Sequence, residues 1–304
     1  MNAALAFEPY TFEQGLEIKL NERYPDATIS IFDVAKNNGV KLRALTIKQP
    51  DSNISPTIYI DEFSEQYERT HDIDEICNAI AELNEENAVE QFDLKSVLDF
   101  DKAKTRICAK LINKAKNEQL LKGIPHRDFL DLSVVYYICL ENFEGTASIL
   151  IRNDMLTFWN VEEEEIYTYA MENSPRLRPV SFVSIEEVLQ MMPDSTLAFE
   201  DEETEDEKLR IYVASSEQQT YGASVLLYPH FLQNVADTVQ SDFYVIPSSL
   251  HEILIVTDRN EQTNQNELLE VVQEVNFTTV SDEEILADNV YFYSRESGEL
   301  KALF

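Results

Sequence analysis

The residue types that could support nucleophilic catalysis occur together in one short segment of this chain. Its polar members are Ser248, Ser249, His251 and Glu252. They lie within residues 242–256, where two apolar runs of β-type pattern meet. A serine hydroxyl, a histidine base and a carboxylate that orients the imidazole form the catalytic unit of many hydrolases. One prediction is therefore a hydrolase, with a serine nucleophile, His251 as base and Glu252 or Asp242 as the orienting group.

The same residues have a structural interpretation, which we prefer. Pro247, Ser248 and Ser249 are typical turn residues, so the segment is explained by a hairpin. In a strand, neighbouring side chains point to opposite faces, which separates His251 from Glu252. Glu252 then shares a face with apolar side chains, and its carboxylate needs either exposure or a buried hydrogen-bond partner. If the base is not His251, it would come from His71, His126 or His230.

Metal and cofactor sites are not predicted. His251-Glu252 begins the zinc motif H-E-x-x-H, but Ile255 stands where the second histidine is required. The three cysteines show no C-x-x-C spacing, which argues against a zinc site or a disulfide framework. No glycine-rich phosphate loop is present in a chain with six glycines.

The cysteines are predicted to be buried, unreactive thiols of a reducing compartment. Cys77 and Cys108 fall on apolar stripes of helical spacing, and Cys139 lies in an apolar strand pattern.

His126-Arg127-Asp128 resembles the H-R-D of kinase catalytic loops. That motif requires an asparagine five positions after the aspartate, where this chain has Ser133. We therefore interpret the segment as a structural loop in which Arg127 pairs with a carboxylate. Trp159 is interpreted as a fold anchor, because four glutamates follow it closely and a base-stacking platform needs an electropositive groove.

The charge is strongly negative, with 57 acidic and 24 basic residues and a net of −33. A field of this sign repels nucleic-acid phosphates and anionic lipids, so direct binding to either is not expected. The acidic surface favours solubility, and it also allows a more specific hypothesis, in which the protein mimics nucleic acid and occupies a basic partner.

One segment runs against this trend. Residues 101–127 hold eight basic and two acidic residues and are interpreted as a helix. We expect it to dock on an acidic surface of the same chain or of a second copy, giving a homo-oligomer in the latter case. An anion site is the less favoured alternative, because the surrounding field repels anions.

The chain shows no targeting or membrane signal. Its first residues lack the basic start and apolar core of a signal peptide, and no apolar run approaches the roughly 20 residues that span a bilayer. These features predict a cytoplasmic protein.

The element pattern predicts an α+β fold with largely antiparallel sheets and helices packed on them. Helix starts are indicated by cap residues at Thr11, Asp72 and Asn160, and Asn38-Gly39 predicts a tight hairpin turn. The similar segments 145–150 and 222–227, each interpreted as a strand, allow repeated ββα-like units. Seven of the eight residues 200–207 are acidic, which predicts an exposed linker at 200–208 between domains 1–199 and 209–304.

Several dispersed segments resemble an uncharacterised family of Gram-positive bacteria of the Clostridia, the domain of unknown function DUF5688. They are Lys36–Val40, Asn53–Tyr59, Pro125–Asp131, Leu150–Asn153 with Trp159, Glu172–Arg176 and Phe243–Glu252. The resemblance implies no activity and no functional residue. From the residues alone, the leading prediction is a non-enzymatic module that binds an unidentified protein; the alternatives are the hydrolase and the nucleic-acid mimic.

Overall fold

The structure is a computed structural model that describes residues 10–88, 92–140, 147–191, 210–247, 249–257 and 264–303. In these ranges the chain forms helices and antiparallel sheets, which confirms the predicted α+β class. The chain divides into two compact units. The first comprises Met1–Lys36 and Val40–Leu94, and the second comprises Asn37–Gly39 and Lys95–Phe304.

The first unit has a three-stranded sheet in the order β1-β2-β3, packed with helices. Its elements are α1 (Phe12–Arg23), β1 (Thr28–Ala35), β2 (Lys41–Lys48), β3 (Ile58–Tyr59), α2 (Asp61–Thr70) and α3 (Ile73–Glu86). Its core contains leucines of α1, Leu45 and Ile47 of β2, and Ile76 and Ile80 of α3. The 3.6-residue spacing of the α3 side chains, evident in the sequence, thus places one helix face on the sheet.

Two predicted helix starts and the predicted hairpin are confirmed in this part of the chain. The Thr11 side chain accepts a hydrogen bond from the Gln14 backbone N–H, and the Gln14 side-chain oxygen accepts one from the Thr11 N–H. The Asp72 carboxylate accepts the Glu75 N–H at 3.0 Å. β1 and β2 pair in antiparallel register, and the turn between them has the positive φ angles that asparagine and glycine tolerate, 59° at Asn38 and 73° at Gly39.

The second unit contains two antiparallel sheets. Its helices are α4 (Lys95–Leu98), α5 (Phe100–Ala103), α6 (Glu118–Leu121), α7 (Asn153–Trp159), α8 (Glu163–Leu177), α9 (Ile185–Met191), α10 (Phe231–Val239) and α11 (Gln265–Thr278). Its strands are β4 (Ile107–Asn113), β5 (His126–Phe129), β6 (Leu132–Cys139), β7 (Ser148–Leu150), β8 (Val180–Ser184), β9 (Ile211–Ser216), β10 (Phe243–Ile246), β11 (Glu252–Thr257), β12 (Val290–Ser294) and β13 (Glu299–Leu303). One sheet has the order β4-β6-β5, with β7 also paired to β6, and the other has the order β13-β12-β10-β11-β9-β8.

The six-stranded sheet carries the predicted hairpin 242–256. β10 and β11 are neighbours, with Phe243 opposite Thr257 and Ile246 opposite Leu254, so this hairpin is confirmed. Residues 192–209 lie outside the described ranges, so the division into 1–199, 200–208 and 209–304 stays a prediction.

Four local predictions are wrong. The segment 126–128, interpreted as a loop, is part of strand β5. Residues 101–127 are not one helix, because strand β4 occupies their centre and carries Cys108. Residues 222–227 form a 3-10 helix and not a strand. Asn160 ends α7 with a φ of 56°, and α8 begins at Glu163. Strand β4 and residues 222–227 are short, mostly apolar runs, whose pattern does not distinguish a buried strand from a buried helical turn.

The repeated ββα-like units are not supported by these elements, because one similar segment contains strand β7 and the other is the 3-10 helix. In the part of the chain that the structure describes, no helix is long and apolar enough to cross a membrane.

Candidate functional site

The predicted polar cluster lies at the connection between β10 and β11. Ser248 lies outside the described residues. Ser249 forms a local turn, in which its hydroxyl accepts the His251 backbone N–H at 3.0 Å and its own N–H donates to the Glu252 carbonyl at 3.3 Å. The hydroxyl is therefore used to shape the backbone, as the turn interpretation predicts.

The His251 ring is held by groups other than a serine. It stacks on the Tyr221 ring, with centroids 5.9 Å apart and planes 16° apart. Nδ1 lies 3.3 Å from the Tyr221 backbone nitrogen and 3.2 Å from the Gln219 carbonyl oxygen, and Nε2 lies 3.6 Å from a Glu284 carboxylate oxygen. A neutral Nδ1 can accept from Tyr221, and a protonated one can donate to Gln219. Both ring nitrogens thus have neighbours that fix the imidazole as a structural element.

Neither of the two carboxylates predicted to orient the histidine, Glu252 and Asp242, is among the neighbours of its ring nitrogens described above. Glu252 is half-buried at the first position of β11, where its residue pairs with Ser215 of β9, so water can reach its side chain. The Glu252 carboxylate therefore does not need a buried hydrogen-bond partner. Asp242 accepts the Arg295 backbone N–H at 2.8 Å.

The backbone beneath His251 is packed unusually tightly. The Ser215 hydroxyl donates to the His251 carbonyl at 2.7 Å. Gly222, the first residue of the 3-10 helix, leaves no room for a side chain, since a Cβ there would lie 2.2 Å from the His251 carbonyl oxygen. The His251 carbonyl is therefore held against two neighbouring segments, by the Ser215 hydroxyl on one and by the close approach of Gly222 on the other.

The H-R-D segment lies in strand β5 and is not the predicted loop, but Arg127 pairs with carboxylates as predicted. Arg127 donates through Nε to Glu163 at 2.8 and 2.9 Å, pairs with Glu164, and lies 3.9 Å from the centre of the Tyr167 ring. Asp128 pairs with Lys114 at 2.7 Å. Burial, and then the hydrogen bond to Glu163, raise the pKa of the nearby Tyr136.

Trp159 is a fold anchor, which also confirms the prediction. Its indole N–H points at the carbonyl oxygens of Val97 and Leu98, at 3.2 and 3.1 Å. Its ring packs against Phe100 with centroids 5.5 Å apart.

The basic residues of 101–127 engage groups of the same unit. Four of them pair with carboxylates: Lys104 with Asp101, Lys114 with Asp128, Lys116 with Asp288, and Arg127 with Glu163. The Lys110 ammonium lies 4.1 Å from the centre of the Tyr221 ring. These contacts lie within the chain, and docking of the segment on a second copy stays a prediction.

An exposed face of α11 was not predicted from the sequence. The helix buries Val272 and Asn276, and its opposite face carries Glu270, Glu274 and Phe277 at the i, i+4, i+7 spacing of one side. The Phe277 side chain is 91% exposed, and no other large apolar side chain in the described ranges is as exposed. The sequence signal that could have indicated this face is the position of Phe277, an aromatic residue outside the buried stripe of α11.

No group of three metal-ligating side chains occurs among the described residues. A family model described as a family of unknown function, DUF5688, matches residues 10–295. No curated protein and no solved structure matches the chain.

Proposed function

The chain belongs to the DUF5688 family, whose function is unknown, and on that premise we propose that it acts by binding another protein. The observation that carries this proposal is Phe277, an aromatic side chain held almost completely in water on a folded helix. Aromatic residues are enriched at interface centres, where they supply much of the binding energy.

The charge around Phe277 defines the kind of partner. Helix α11 contains three glutamates and no lysine or arginine. Glu270 and Glu274 lie on the same face as Phe277, so a partner would need an apolar pocket with a basic rim. Opposite charges at a rim accelerate association and select the partner, while the buried aromatic supplies the affinity. This proposal includes a cytoplasmic location, as the sequence predicts.

The first test is isolation of the tagged full-length chain with quantitative mass spectrometry. We expect a protein that copurifies with the wild type and is depleted in the Phe277→Ser variant. Phe158 provides the matched control, because it is also an exposed helical phenylalanine, 66% exposed on α7. The proposal fails if both variants recover the same proteins as the wild type at low and at physiological salt.

The acidic mimic is a special case of this proposal and predicts a partner that also binds nucleic acid. Added duplex DNA should then displace the chain from the recovered partner. If the partner binds the chain and duplex DNA at the same time, the chain does not act as a nucleic-acid mimic.

A hydrolase at residues 248–252 is the rival proposal, and its weakness is the position of the Ser249 hydroxyl on the backbone of His251. A serine-reactive probe should label the wild type and not the Ser248→Ala or Ser249→Ala variant if this rival is right. We expect the same weak, nonspecific labelling of all three proteins.

A further inference from the structure

Two of the three cysteines lie in direct contact inside the β4–β6 sheet. Cys108 of β4 is opposite Tyr137, and Cys139 lies two positions further along β6 on the same face. Their sulfur atoms are 3.4 Å apart, and both residues are buried. A disulfide has a sulfur–sulfur distance of about 2.05 Å, so the two sulfur atoms would have to move closer together for the bond to form.

A cation faces one of the two sulfurs. The Arg178 Nη2 lies 3.9 Å from the Cys139 sulfur. The Nε of the same guanidinium is buried and, among the described residues, has no hydrogen-bond partner. A guanidinium held beside a sulfur favours the thiolate, which is the reactive form of cysteine.

The two thiols are made unequal by this environment. Hydrogen bonding from the Cys108 thiol and the charge of Arg178 lower the pKa of Cys139 to about 7, although burial opposes this shift. The hydrogen bond to Cys139 and burial raise the pKa of Cys108. Cys139 is therefore the nucleophile of the pair, and Cys108 is the thiol that resolves its oxidised form.

We propose that Cys108 and Cys139 are a reversible redox pair, oxidised by a peroxide to a disulfide that links β4 to β6. This inference is independent of the binding function proposed above. It also replaces the expectation, drawn from the sequence, that all three cysteines are inert.

The chemistry proceeds in two steps. The Cys139 thiolate attacks one oxygen of hydrogen peroxide and breaks the O–O bond, which gives a sulfenic acid and, after protonation of the leaving hydroxide, water. The Cys108 sulfur then attacks the Cys139 sulfur and displaces hydroxide, which takes the Cys108 proton and leaves as water. A dithiol reductant reverses the change by thiol–disulfide exchange.

The test uses the full chain, treated with hydrogen peroxide and then unfolded in the presence of an alkylating agent. Mass spectrometry should show loss of two hydrogen atoms, a linked pair of peptides containing Cys108 and Cys139, and alkylation at Cys77 alone. Dithiothreitol should restore three alkylated cysteines. The rate of oxidation should rise as the pH increases through about 7, as Cys139 ionises.

Matched variants separate this pair from general oxidation. Cys77→Ser should keep the linked peptide, Cys139→Ser should abolish it, and Arg178→Gln should slow its formation several-fold without changing the product. Circular dichroism checks that each variant is folded. The proposal is overturned if the folded wild type gives no Cys108–Cys139 peptide, a link to Cys77, or sulfinic acid at Cys139 instead of a crosslink.

Discussion

At the scale of single residues, Gly222 explains how the connection at His251 is held in place. A Cβ at this position would lie 2.1 Å from the Ser215 hydroxyl oxygen, 2.2 Å from the His251 carbonyl oxygen and 2.6 Å from the Ser216 backbone nitrogen. A hydroxyl can rotate away, but the two backbone atoms cannot move without displacing β9 or the connection itself. Only glycine allows the 3-10 helix to approach both segments.

Gly222→Ala should therefore destabilise the protein by about 2–3 kcal/mol, the cost of forcing extra volume into a packed interior. The measurement is urea unfolding followed by circular dichroism. Gly123→Ala is the matched control, because its Cβ would be 3.6 Å from the nearest atom, the Leu120 carbonyl oxygen. Equal unfolding free energies for the two variants would contradict this account.

Residue types predicted the local chemistry of this region only in part. The turn propensity of Pro247-Ser248-Ser249 indicated a hairpin, and the failed kinase motif indicated a structural Arg127. The partners of the His251 ring, Tyr221 and Glu284, lie some thirty residues away on either side along the chain. No local pattern could have identified them, because tertiary packing alone brings them together.

At the scale of elements, Arg43 links a helix to a strand in the first unit. From β2 it donates to both carboxylate oxygens of Glu13 on α1 at 2.8 Å, and it pairs with Asp33 on β1 at 2.9 Å. The hydrogen bond from Arg43 lowers the pKa of Glu13. The folded state thus binds the Glu13 proton more weakly than the unfolded chain does.

This shift fixes the direction of a pH dependence. A carboxyl whose pKa is lowered by folding stabilises the protein above its unfolded pKa, about 4.3, and loses that contribution as the pH falls further. Glu13→Gln should lower the thermal midpoint by a few degrees at neutral pH, and the difference from the wild type should vanish in acid.

Glu17→Gln is the control for this change, since it removes the same charge from the same helix. Scanning calorimetry at neutral and acidic pH would measure both variants. If the two variants differ equally from the wild type at every pH, the Arg43 contact is not the cause.

Several elements with explicit start or turn residues were predictable, although the start at Asn160 was not, and two mostly apolar runs were assigned the wrong conformation. The capping box at Thr11, the cap at Asp72 and the Asn38-Gly39 turn carry their own local geometry. Strand β4 and the 3-10 helix 222–227 are largely buried between other elements. Their conformation depends on neighbours that are distant in sequence.

At the scale of the whole molecule, the second unit buries tyrosine hydroxyls throughout its interior. Burial is the first cause that raises the pKa of Tyr136, Tyr137, Tyr228 and Tyr291. The Tyr291 hydroxyl donates to Asp131 at 2.7 Å, and the Tyr228 hydroxyl donates to the Arg178 carbonyl at 2.9 Å. Each phenol is thus held in its neutral form by the fold.

The stability should therefore fall at alkaline pH. A group whose pKa is raised by folding stabilises the protein fully below its unfolded pKa, about 10 for tyrosine, and that contribution decreases as the pH rises above this value. In an alkaline titration, the tyrosinate absorbance of the buried tyrosines should appear only when the circular dichroism signal of the folded protein is lost. Complete ionisation of all tyrosines in a protein that still gives the folded signal would show that these hydroxyls are accessible.

The overall charge could be counted from the sequence, but the exposed face of α11 that carries Phe277 could not be predicted from it. Acidic residues occur along most of the sequence, and only the orientation of α11 distinguishes its buried side from the side that exposes Phe277 next to Glu270 and Glu274. This surface carries the claim that the protein binds a partner.

The most direct test of that claim is the affinity of the recovered partner for the full chain and two variants, measured by calorimetry. Phe277→Ala should weaken binding at least about tenfold, equivalent to about 1.4 kcal/mol. Phe158→Ala should leave the affinity unchanged. Equal affinities for the wild type and Phe277→Ala, or an equal loss in both variants, would contradict the account.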